Sequence, residues 1–103
     1  MTLKCVEGIV NLDIACIIMI ESKKHRNTII TTKEEYHIYC KLDDLEIMIQ
    51  QYGFTRVHKS YLVNNRFMKS LCNYKLTLYN GLVLNIPRKR YHYVKEVLCS
   101  AQK

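Results

Sequence analysis

The chain has 103 residues, enough for one domain with one modest core. Hydrophobic residues make up 49% of it and charged residues 24%, ordinary values for a globular protein. Its longest apolar run, Ile14 to Ile20, is too short to cross a membrane, and with Asp13 and Glu21 at its flanks and no small-residue cleavage pattern it does not read as a secretory leader. The expectation is a cytoplasmic protein that is not embedded in a membrane.

The net charge is +7, and it is unevenly spread. Residues 1–46 carry six Lys or Arg against eight acids, while residues 47–95 carry nine Lys or Arg and no acid. Such asymmetry points to a polyanion-binding face built mainly by the second half.

Leu3 to Asn11 reads as two short strands separated at Gly8. Asp13-Ile14 marks a turn, and Cys16 to Glu21 a strand buried on both faces, since consecutive apolar side chains leave no wet side. Lys23-Lys24-His25-Arg26-Asn27 is expected to be an exposed basic loop. Thr28 to Thr32 reads as the returning strand, Lys33-Glu34-Glu35 as a turn, and Tyr36 to Cys40 as another strand. Leu42 to Tyr52 is the clear internal helix, with Leu42, Leu45, Met48, Ile49 and Tyr52 on one expected core face. Asp43, Asp44 and Glu46 suit its N-terminal end, and Gly53 can supply a left-handed stop. Because phosphates would repel those acids, this helix is expected to lie away from any nucleic acid.

Phe54 to Asn65 forms two strand-like pieces around a basic centre. Phe54, Val57, Tyr61, Leu62 and Val63 make the apolar frame, and Arg56, His58, Lys59 and Ser60 supply hydrogen-bond donors. Phe67 to Cys72 reads as a further strand. Asn80-Gly81 between Tyr74–Tyr79 and Leu82–Ile86 predicts a hairpin with a two-residue turn. That register pairs Leu78 with Val83 and Thr77 with Leu84, leaving both faces apolar and both covered. Pro87 opens a final helix with an apolar stripe at Tyr91, Val94 and Leu98. Arg88, Lys89, Arg90 and His92 crowd its first turn, where cations oppose the helix dipole and a phosphate partner would account for them.

The five cysteines are odd in number and contain no Cys-x-x-Cys, so they read as reduced, buried apolar residues and not as disulfides or zinc ligands. No motif joins His25, His37, His58 or His92 to an activated Ser, Cys or carboxylate, and no cofactor is expected. The chain is therefore not read as an enzyme. The basic clusters suggest a partner with phosphates and acceptor base edges. A small RNA-binding or protein-interaction β module is the alternative, although most of the eight tyrosines that could stack on bases fall at core-like positions.

Four motifs in order resemble the LytTR family of DNA-binding domains over about Leu12 to Val97. Arg56-Val57-His58-Lys59-Ser60-Tyr61-Leu62-Val63-Asn64 is similar to its Phe-x-Arg-x-His-Arg-Ser-x-x-Val-Asn signature, with Lys59 where Arg is usual. Asp13-Ile14 followed by Glu21-Ser22 resembles the first motif, Asn80-Gly81 the hairpin glycine, and Ile86-Pro87-Arg88-Lys89 a closing Val-Ser-Arg-Arg with Pro87 replacing the serine. The resemblance implies a single, mainly all-β domain spanning 1–103: an elongated sandwich of stacked antiparallel sheets with one short internal helix and a C-terminal helix. It implies sequence-specific binding of double-stranded DNA at direct repeats, for transcriptional regulation, with two copies as a homodimer on the DNA. The contacts would come from loops: His25, Arg26 and Asn27; Arg56, His58, Lys59 and Ser60; and Arg88, Lys89 and Arg90. Control would come from a response-regulator receiver domain, for which this chain leaves no room, or from a membrane inhibitor protein.

Overall fold

The computed structural model describes residues 1–24 and 26–101. Its centre is a five-stranded antiparallel sheet in the order β5-β4-β3-β7-β6. The strands are β3 (Ile17–Lys23), β4 (Arg26–Thr31), β5 (Glu35–Ile38), β6 (Phe54–His58) and β7 (Tyr61–Asn64). A separate hairpin, β1 (Thr2–Cys5) with β2 (Gly8–Asn11), and α1 (Leu42–Ile49) pack on one face. An outer three-stranded sheet, β8 (Met68–Cys72), β9 (Lys75–Leu78) and β10 (Val83–Asn85), packs on the other face together with α2 (Arg88–Ala101).

The apolar run explains this layering. Ile17, Ile18, Met19 and Ile20 are all buried. The register against β4 shifts between Ile17 and Met19, a bulge that gives β3 one extra residue. Ile17 and Ile20 therefore join Ile29, Leu45 and Ile49 in one core, and Ile18 and Met19 join Val57, Val63, Leu78 and Val94 in the other. The central sheet is thus buried on both faces, as a continuous apolar strand requires.

Asp13 receives the Ala15 N–H at 3.0 Å and starts a short 3-10 turn over Ile14–Cys16. Asn64 does the same for Asn65–Phe67, accepting from the Arg66 N–H at 3.1 Å. Its amide also donates to the Ile17 carbonyl at 2.9 Å, stitching β7 to the start of β3. The β1–β2 turn is latched to the sheet edge: the Val6 N–H reaches the His37 carbonyl at 2.7 Å, and the His37 N–H reaches Glu7 at 2.9 Å.

Several sequence expectations are corrected. The predicted helix face is narrower, because α1 ends at Ile49 and passes into a 3-10 turn, Gln50–Tyr52, before left-handed Gly53 (φ 85°). Leu42, Leu45 and Ile49 are buried, but Met48 is 45% and Tyr52 55% exposed. The Asn80-Gly81 hairpin is slipped by one residue: Thr77 pairs with Val83 and Leu76 with Leu84. Leu76, Leu78, Leu84 and Ile86 are consequently buried, whereas Val83 is exposed, so this sheet is covered on one face only. The cause is a three-residue loop, in which the Gly81 N–H closes on the Leu78 carbonyl at 2.9 Å and Gly81 takes φ 93°. Of the cysteines only Cys5 is buried; Cys72 and Cys99 are exposed. Tyr39, Tyr52, Tyr74, Tyr79 and Tyr93 are exposed as well, against the core-like positions expected of most tyrosines.

Candidate nucleic-acid interface

Antiparallel pairing carries basic residues from distant parts of the chain to one end of the central sheet. Lys23 pairs with Arg26 where β3 turns into β4, and Glu21 pairs with Tyr61 where β7 begins. The Ser22 N–H then reaches the Ser60 carbonyl at 2.8 Å, tying the first basic segment to the β6–β7 turn. At the far edge Asn27 pairs with Ile38, so β5 delivers the start of α1 to the same end.

In the first segment Lys23, Lys24 and Arg26 are exposed, and Lys24 holds a left-handed φ of 48°. These cations, with Thr28 and His37, line a shallow groove. His25 lies outside the described residues. Asn27 does not stand in an exposed loop: it is buried in β4, and its amide donates to the Cys40 carbonyl. That amide is occupied within the protein, so the expectation of a loop running to Asn27 shortens to a tight hairpin end.

The central segment is a two-residue turn, Lys59-Ser60, with His58 paired to Tyr61. Lys59 is exposed and its charge faces solvent. The Ser60 N–H donates to His58 Nδ1 at 3.0 Å, which leaves the proton of the neutral imidazole on Nε2. The His58 ring also packs on Tyr61, 4.8 Å between centroids. Burial first, then the charges of Lys59, Arg90 and Arg56, hold the His58 pKa below the ordinary histidine value. His58 is accordingly a neutral donor at pH 7.

Arg56, expected among the DNA-contacting donors, is engaged inside the protein. Its Nε donates to the His58 carbonyl at 3.0 Å, one terminal nitrogen to Asp43 at 2.8 Å and Glu46 at 3.0 Å, and the other to the Lys59 carbonyl. The first turns of α1 thus border the central turn directly.

The third segment opens α2. Arg88 and Lys89 are exposed, and the Arg88 guanidinium lies 6.0 Å above the Tyr74 ring, which packs on Tyr91. Arg90 is half-buried and donates to the Arg56 carbonyl at 2.9 Å. The last basic cluster is thereby joined to the central one.

Between the turn and α1 lies an open cleft of about 430 Å³, lined by Ser22, Tyr39, Lys41, Asp43, Arg56 and Lys59 among others. Sequence reasoning missed Tyr39, which is 71% exposed, and Lys41. Both sit in the β5–α1 connection, which only strand order brings beside Lys59. Among the described residues no group of His, Cys, Asp or Glu is arranged to hold a metal ion, and no helix is long and apolar enough to cross a membrane.

Layered antiparallel sheets that gather cations and N–H donors at one end define a small β domain suited to a polyanion. The model of the LytTr DNA-binding domain matches residues 7–99, and the chain belongs to this family of DNA-binding domains of transcription regulation. Among solved structures, it is similar to the LytTr DNA-binding domain of a Bacillus cereus protein described as a methyl-accepting/DNA response regulator. The TM-score is 0.80 at 19% identity, over 95% of this chain and 94% of that one. No curated protein matches the chain in sequence. The family resemblance and the mainly β, stacked-sheet fold expected from the sequence both hold.

Proposed function

We propose that this chain binds double-stranded DNA sequence-specifically at paired direct repeats in promoters, two copies to a site, through the basic rim of its central sheet. The convergence of Lys23, Lys24, Arg26 and Lys59 on that rim carries the reading, with the Arg88–Arg90 segment joined to it through the Arg90–Arg56 bond, because these cations come from three separated segments of the chain. In this reading exposed lysines meet phosphates, while Arg88 and the Nε2–H of His58 approach acceptor atoms of base edges in the major groove. Arg26, Lys89 and Ser60 supply positioning contacts around them. Tyr39 lines the rim cleft beside Lys59.

The test is fluorescence anisotropy with a duplex carrying two direct repeats about one helical turn apart, a scrambled duplex and a single-stranded competitor, over a salt series. The repeat duplex should bind most tightly. With about six phosphate contacts, affinity should fall about a thousand-fold between about 50 and 200 mM salt. A salt slope near zero would refute DNA binding, and equal competition by single strands would replace it with the single-strand reading.

A further inference from the structure

We infer that Arg56, held by Asp43 and Glu46 of α1, is a positioning residue for the DNA-facing turn, so that two acids beside the basic rim support DNA binding instead of opposing it. The inference rests on the DNA-binding reading above and adds to it how the central turn is kept in shape.

Two-residue hairpin turns usually take mirror-image backbone forms with positive φ, because those match the twist of the flanking strands. Among the described residues the positive φ values belong to Lys24, Asn73, Tyr74 and glycines, so neither Lys59 nor Ser60 adopts that geometry. The register of β6 against β7 also shifts between Arg56 and His58. Such a turn splays its strands unless something else holds it. Side chains do so here. The Arg56 guanidinium reaches the carbonyls of both His58 and Lys59, the two residues that lead through the turn. The Ser60 N–H is taken by His58, and the Ser60 carbonyl by Ser22.

The guanidinium needs its own fixing, since a free arginine side chain samples many rotamers. Asp43 and Glu46 share one terminal nitrogen at 2.8 and 3.0 Å. The carboxylates lie on α1, which is anchored in the core through Leu42, Leu45 and Ile49. Helix, arginine and turn thus form one chain of charge-assisted hydrogen bonds. The Arg56 side chain is only 13% exposed, and four acceptors take up its fork of five N–H donors. Little remains for a phosphate. Lysine has no planar fork and cannot span a turn and two carboxylates at once.

The sign of one substitution separates this from surface electrostatics. Removing two negative charges beside a DNA face should tighten binding if the acids act only through their charge. If they act through Arg56, Asp43→Asn with Glu46→Gln should weaken it, by roughly three- to thirty-fold, inside the range of coupling found within one hydrogen-bond network. Arg56→Lys should weaken binding by a similar factor although the charge is kept. Arg56→Gln should leave the salt slope unchanged, whereas loss of a phosphate contact would lower it by about one. Each variant is measured by anisotropy on the repeat duplex across salt, after circular dichroism has shown it folded. If Arg56→Gln does not fold, the paired acid variant, at the exposed Asp43 and the half-buried Glu46 of α1, carries the test.

Equal or tighter binding by the paired acid variant, with the wild type still binding in a salt-dependent way, overturns the positioning role and leaves the DNA reading intact. Full rescue by Arg56→Lys, or a slope reduced by one in Arg56→Gln, reassigns Arg56 to a phosphate contact and overturns it as well. Absence of salt-dependent duplex binding by the wild type removes both proposals.

Discussion

Asn64 ends the signature stretch, and the structure gives it work inside the protein. It is 2% exposed, its amide donates to the Ile17 carbonyl at 2.9 Å, and its oxygen accepts from the Arg66 N–H at 3.1 Å. Asn64→Ala removes both bonds. Loss of the cap over Asn65–Phe67 costs about 1 kcal/mol. Taking the donor from a carbonyl at a buried strand start adds about 1–3 kcal/mol. The sum, about 3 kcal/mol, should lower Tm by about 12–24 °C at about 4–8 °C per kcal/mol for a domain near this size. Asn64→Asp should be at least as damaging at pH 7, because a carboxylate then faces a carbonyl oxygen in a buried site. Its pKa would be raised there, so stability should return as pH falls and the acid regains a proton to donate. Circular dichroism melts at two pH values measure both effects, and anisotropy at 15 °C measures DNA affinity while the variants are folded. Affinity per folded molecule should stay within about two-fold of wild type, since Asn64 lies in the core and carries no charge. An Asn64→Ala protein that keeps its melting temperature but loses more than ten-fold in affinity would refute the reasoning and make Asn64 a DNA-contacting residue.

Leu45→Ala should cost about 2–4 kcal/mol in chemical denaturation, whereas Met48→Ala, on the flank of α1, should cost less than about 1 kcal/mol; similar losses would mean the helix is rotated from its described position. Hydrogen bonds from His37 hold the Glu7 pKa below the ordinary glutamate value, so the latch between the β1–β2 turn and β5 is fully present above that value and is lost as pH falls through the lowered one. Protection factors of the Val6 and His37 amides, with the intrinsic pH dependence of exchange divided out, should fall over that acidic range in wild type, and in Glu7→Gln they should lose that pH dependence; wild-type protection that stays constant through the range would show that the latch contributes nothing. Arg88→Ala should narrow the gap between repeat and scrambled duplexes more than Lys59→Ala does, because Arg can make a planar two-point contact to guanine while Lys is a point charge. Lys59→Arg should keep or raise affinity, and uniform losses for both alanine variants would reduce Arg88 to a phosphate contact.

The sequence made the scaffold legible where side-chain chemistry forces the answer. Cys16 to Glu21 reads as a strand covered on both faces, and Phe54 to Asn65 as two strands around a basic centre; β3 and the β6–β7 pair are found there. What it hid were choices of a single residue or a single angle. The Asn80-Gly81 pair fits a two-residue turn, but the Asn80 side chain accepts the Leu82 N–H at 3.1 Å and Gly81 alone takes the left-handed angle. The loop gains a residue, and a one-residue slip exchanges the faces of the strand. Met48 fits an apolar helical stripe by spacing. Yet at about 100° per residue it lies about 90° from the centre of the Leu42, Leu45 and Ile49 face, and α1 stops one residue later. Asn27 is beyond any composition argument, because only the pairing with Ile38 shows that it points its amide at the β5–α1 connection.

The charge pattern shows why a linear reading separates groups that the fold brings together. Along the chain the acids precede the cations, and the acidic helix looks separable from the basic turn. In space β5 returns α1 to the rim, and Asp43 and Glu46 meet the arginine at the head of the signature. An arginine with four partners is a poor electrostatic ligand and a good strut. Among the described residues, cations without a carboxylate partner, Lys24, Lys59, Arg88 and Lys89 among them, stand on elements fixed by that strut and by the Ser22–Ser60 and Arg90–Arg56 bonds. Affinity for phosphate needs only the charges, but discrimination between bases needs donors whose positions are set before DNA arrives. In the proposed reading the acid-free stretch supplies the first requirement together with Lys23, Lys24 and Arg26, and Asp43 and Glu46 supply part of the second.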